Sequence, residues 1–70
     1  GEMIEVYIRT PPERNGGEEA VGVYSRGEVQ DVRVFIDPGQ HQLYRGSRIR
    51  CRVRYCGGSF LKALALYRLD

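Results

Sequence analysis

Apolar and polar residues alternate with period two in four separate stretches of this chain, the pattern of β-strands half buried against a core. Ile4, Val6 and Ile8 alternate with Glu5, Tyr7 and Arg9. Pro11-Pro12 then ends the pattern and opens a loop through Asn15-Gly16-Gly17. Alternation resumes from Ala20 to Ser25, with Val21 and Val23 on one face and Gly22 and Tyr24 on the other; Arg26-Gly27-Glu28 reads as the turn. Val32, Val34 and Ile36 share a face, leaving Arg33 and Phe35 opposite, and Asp37-Pro38-Gly39 terminates the strand. A polar loop carrying His41, Tyr44 and Arg45 runs to Gly46. The most regular stretch follows, from Arg48 to Tyr55, in which Ile49, Cys51, Val53 and Tyr55 fall on one side and Arg48, Arg50, Arg52 and Arg54 on the other. The last segment, Phe60 to Leu69, is apolar on both faces, and its alanines and leucines suit a helix. The Gly57-Gly58 link after an alternating strand favours a hairpin instead, so this segment is expected to be a fifth strand.

Five short strands between glycine and proline turns predict an all-β fold, a five-stranded antiparallel barrel that leaves no strand edge open. Its expected interior is Ile4, Val6, Val21, Val23, Val34, Ile49, Cys51 and Val53, with Tyr55 and Tyr67 packed in or near the core. The whole chain, 70 residues, is expected to form one domain. A domain of this size buries only about 60% of its unfolded surface. No run of eighteen apolar residues and no signal-peptide pattern is present, so a soluble, cytoplasmic protein with no membrane association is expected. Cys51 and Cys56 lie five residues apart. In a strand that separation is roughly 16 Å, beyond disulfide reach, so both are expected as free thiols. Two thiols and His41 do not complete a zinc set, and no cofactor is expected.

Charge changes the picture more than composition does. The formal net charge is +2. Residues 1–31 hold seven carboxylates against three arginines, net −4, whereas residues 32–70 hold eight basic residues against two acids, net +6. Such a dipolar domain presents a basic face. The four alternating arginines stand roughly 6.6 Å apart along a strand. Each is permanently charged and offers a planar fork of donors matched to phosphate. The same row could instead be solvated, or paired across the barrel with Glu5, Glu18 and Glu19. An enzyme is not expected: Ser25, Ser47 and Ser59 lack a nucleophile-elbow context, a single histidine would have to serve as base, and no glycine-rich phosphate loop is present.

The second half of the chain resembles the TRAM domain family. The resemblance rests on Val34-Phe35-Ile36-Asp37-Pro38-Gly39, Leu43, Gly46-Ser47, the alternating basic strand Ile49-Arg50-Cys51-Arg52-Val53, and Phe60 with Ala63. TRAM domains are OB-type five-stranded barrels that bind transfer RNA or other RNA, fused to RNA-modifying enzymes or, in archaea, as stand-alone proteins. The resemblance implies a binding surface on Tyr24, Arg33, Phe35, the arginine row and Lys62, to which Arg45 of the polar loop is added. The implied partner is RNA or single-stranded nucleic acid, gripped at its phosphates and stacked on Phe35 and Tyr24 with low sequence specificity. Two other readings remain: an architectural barrel on duplex DNA, and a protein-interaction subunit docking its arginines on an acidic partner.

Overall fold

Five strands follow one another along the chain: β1 (Met3–Thr10), β2 (Ala20–Arg26), β3 (Val29–Asp37), β4 (Arg48–Cys56) and β5 (Phe60–Arg68). They come from a computed structural model that describes residues 1–14, 19–26 and 29–70. The turns expected at Asn15-Gly16-Gly17 and Arg26-Gly27-Glu28 fall wholly or largely outside those residues. A 3-10 turn, Pro12–Arg14, follows β1 where the proline pair stops it.

The strands close into a barrel in the order β1-β2-β3-β5-β4, as in a small OB-like barrel. Orientation is mixed, not antiparallel throughout. β3 and β5 run parallel, pairing Arg33 with Phe60 and Phe35 with Lys62. The reason is topological. A hairpin makes β5 antiparallel to β4, and β4 returns along β1, so the seam that closes the barrel must join β5 to β3 in the same direction. β5 is a strand because the Gly57-Gly58 link does form a hairpin. Gly57 donates its N–H to the Phe60 carbonyl at 2.8 Å. A Cβ on Gly57 would come within 2.8 Å of the Phe60 ring, so a side chain at that position would have to displace the ring.

The core consists of Ile4, Val6, Ile8, Ala20, Val34, Ile36, Leu43, Ile49, Cys51, Ala63 and Ala65. Strands β1 and β3 keep the expected phase, and β4 keeps it through Val53. β2 does not. Its buried face is Ala20 and Gly22, with Tyr24 packed against the core, while Val21 and Val23 are half-exposed. Gly22 sets this phase. A Cβ there would lie 2.5 Å from Val6 Cγ1 and 2.7 Å from the Tyr7 carbonyl oxygen, so any side chain facing inward at this position would have to push β1 and β2 apart. The core also draws Leu43 from the β3–β4 loop, only 1% exposed. Cys51 is buried and Cys56 exposed, and both are free. No helix among the described residues is long and apolar enough to cross a membrane.

Candidate nucleic-acid interface

The arginine row does not form a uniform track. Arg48, Arg52 and Arg54 are exposed on the outer face of β4, and Arg50 is half-buried between Glu5 of β1 and Tyr67 of β5. The Arg50 Nε is covered and has no hydrogen-bond partner, so its stem lies down on the sheet. Arg48 approaches Glu5 at 3.9 Å, and Arg54 approaches Asp37 at 3.8 Å. Both pairs are about half exposed and worth only about 0–1 kcal/mol, yet each lowers the local positive charge. Arg52 is the exposed member of the row with no salt bridge among the described residues.

Strict alternation ends at Arg54. Val53 pairs with Ala63, but Tyr55 pairs with Lys62, so Arg54 is an extra residue in a β-bulge. The bulge turns Tyr55 out of the core, where the alternation had placed it, to 55% exposure. A second bulge lies between the Arg50–Tyr67 and Cys51–Ala65 pairs, and Tyr67 is likewise exposed. Neither tyrosine is a core residue.

The consequence is an aromatic cluster across three strands. One register row reads Phe35 on β3, Lys62 on β5 and Tyr55 on β4. Phe60 joins it. Its ring is 5.7 Å from Phe35 in a T-shaped contact and 5.9 Å from Tyr55 in a tilted one. Phe35 is half-buried, with the Phe60 ring packed against it. Exposed cations border the cluster: Arg33 next to Phe60 in register, Lys62 at its centre, and Arg52 on the row beyond Tyr55.

The expected site residues therefore divide. Phe35, Arg33, Lys62 and Arg52 lie on one continuous outer face of β3, β5 and β4. Arg54 reaches across that face toward Asp37. Arg48 and Arg45 stand at the other end of β4, where Arg48 is opposite Tyr7. Tyr24 leaves the set, because the phase of β2 turns it toward the core. Reading the sequence missed Tyr55 and Phe60. Only the Gly57-Gly58 hairpin could have flagged them, since a tight link brings the residues on either side of it face to face.

Comparison with protein-family models, with curated proteins and with solved structures finds no match for this chain.

Proposed function

We propose that this barrel is a nucleic-acid-binding module for RNA or other single strands, of low sequence specificity and TRAM-like in kind. One observation carries the reading: three aromatics, with Phe60 in contact with both Phe35 and Tyr55, stand on the outer sheet face among the cations Arg33, Lys62 and Arg52. Bases stack on such rings at about 1–3 kcal/mol each, and the flanking cations hold the backbone. No asparagine or glutamine interleaves with these groups, so little reads base edges. Rings on an outer sheet face also favour single strands over duplex, whose bases are stacked on one another and cannot lie on a protein ring.

Fluorescence anisotropy with single-stranded RNA, single-stranded DNA and duplex, across a salt series, tests this. Single strands should bind better than duplex. With four to six phosphates engaged, the log–log salt slope should be about −3 to −4. Arg52→Ala should flatten that slope by roughly 0.7. Phe35→Ala or Tyr55→Ala should cost about 1–3 kcal/mol with the slope nearly unchanged, because stacking releases no counterions. Equal affinity for duplex would favour the architectural reading. Absence of any nucleic-acid affinity at moderate salt would favour docking on an acidic protein.

A further inference from the structure

We propose that the cleft between the end of β1 and the β3–β4 loop is a separate site for one nucleoside phosphate unit, with Arg9 and Arg45 on the phosphate and Tyr7 against the base. It builds on the nucleic-acid reading and adds a contact station away from the Phe35–Phe60–Tyr55 cluster.

The cleft encloses about 680 Å³ and is lined by Tyr7, Arg9, Thr10, Pro11 and Arg45. That volume is within the range of small-molecule sites, about 300–1,000 Å³. β1 alternation aims Tyr7 and Arg9 outward together, because Val6 and Ile8 are the buried partners between and beside them. Arg45 is brought alongside by backbone pairing past the end of β4. The Ile8 N–H donates to the Ser47 carbonyl and the Gly46 N–H to the Ile8 carbonyl, each at 2.9 Å. Gly46 has φ +91°, a conformation in which glycine carries no Cβ penalty. A Cβ at Gly46 would lie 3.7 Å from the Tyr7 hydroxyl, so the tyrosine leans over this loop while its side chain stays half exposed.

The electrostatics select the ligand. No carboxylate lines the cleft among the described residues, and neither Arg9 nor Arg45 is in a salt bridge there. Two guanidiniums lining one cleft with no carboxylate among its described lining residues favour a dianionic group such as a phosphate, and the Thr10 hydroxyl adds a donor. A free anion would have no use for the exposed Tyr7 ring that lines the same cleft, whereas a nucleobase would stack there. Tyr7 stands opposite Arg48, one strand from the arginine row. A strand that occupies both stations therefore wraps across the barrel instead of following β4 from end to end.

Two measurements on the intact chain test the site. In the first, amide resonances are followed by NMR during titration with adenosine 5′-monophosphate, adenosine or inorganic phosphate. The monophosphate should move Tyr7, Arg9, Thr10 and Gly46 more than either fragment does, and the folded double variant Arg9→Ala/Arg45→Ala should not respond. In the second, oligouridylates of four and twelve nucleotides are compared by anisotropy. The double variant should lose about tenfold of the affinity gained on lengthening while keeping the four-nucleotide affinity. If the twelve-nucleotide strand binds but the variant keeps the whole length gain and the monophosphate leaves these amides unmoved, the cleft is not a site and the proposed function stands. If no oligonucleotide binds, the proposed function fails, and the monophosphate titration alone decides the cleft: a response localised to these amides supports it, and none overturns it.

Discussion

Replacing Gly22 by alanine probes the phase of β2, on which the assignment of every outward side chain of that strand depends. The added methyl would meet Val6 Cγ1 at 2.5 Å, the Tyr7 carbonyl oxygen at 2.7 Å and Ile36 Cδ1 at 3.2 Å. Carbon atoms rest at about 3.5–4.0 Å, so all three contacts are compressed. Val6 and Ile36 could turn, but the Tyr7 oxygen is backbone and moves only if β1 moves. β1 is held on its other side by pairing with β4 from Met3 to Tyr7, so relief there would disturb a second strand pair. Overpacking of this kind costs about 1–3 kcal/mol. Gly22 is not in the left-handed region, so alanine also recovers about 0.4–1 kcal/mol by restricting the unfolded chain. The net loss should be about 1–2 kcal/mol.

For a domain of this size each kcal/mol shifts Tm by about 4–8 °C, so thermal unfolding followed by circular dichroism should show a drop of about 5–15 °C. Val21→Ala is the matched control. Val21 is half-exposed on the opposite face, and its loss should cost less than about 1 kcal/mol. A neutral Gly22→Ala together with a Val21→Ala loss above about 2 kcal/mol would refute the reasoning. It would put Val21 and Val23 inside and return Tyr24 to the outer face.

Two further outcomes follow from the core. Leu43→Ala should destabilise by about 2–5 kcal/mol although the residue lies in a loop, because the side chain is fully buried in the barrel core; a loss below about 1 kcal/mol in chemical denaturation would show that the loop does not plug the core. Burial pushes the Cys51 thiol from 9.0 up to about 11, so a thiol reagent at pH 8 should count one reactive cysteine, Cys56, in the native protein and two in denaturant. The unfolded thiol ionises first as pH rises, so stability held below pH 9 should decline from there through pH 11, and Cys51→Ala should remove that component; an unchanged alkaline decline in the variant would assign it elsewhere.

The barrel was legible in the sequence because alternation and turn residues agree over most of the chain. Ile4, Val6, Val34, Ile49 and Cys51 are buried as their spacing requires, and Pro11-Pro12 and Asp37-Pro38-Gly39 end strands where they stand. The ambiguous apolar segment from Phe60 also resolved correctly, since the glycine link outweighed the helical preference of its alanines and leucines. What period two could not supply was phase in β2 and continuity in β4. Val21 and Val23 look like the core face by hydrophobicity alone, but a glycine at a close backbone approach carries the stronger constraint, and it is visible only once β1 and β3 are in place. The antiparallel assignment for every strand pair failed for a similar reason, because closure is a property of the whole sheet rather than of any one turn.

The β4 bulge ties the candidate site to that same limit. An unbroken Arg48–Tyr55 alternation would give four equivalent arginines outside and Tyr55 inside, a surface built for charge alone. With Arg54 as the extra residue, Tyr55 moves outward to face Lys62, Phe60 fits between Tyr55 and Phe35, and Arg54 is drawn to Asp37. One unpaired residue therefore converts a cationic ridge into a mixed aromatic and cationic face. The two surfaces differ in what they would hold. A ridge of guanidiniums attracts any polyanion, and its affinity would vanish with salt. Rings bordered by Arg33, Lys62 and Arg52 would retain a salt-independent share from stacking, and on the proposed reading that share would favour an unpaired strand over a duplex or an acidic protein.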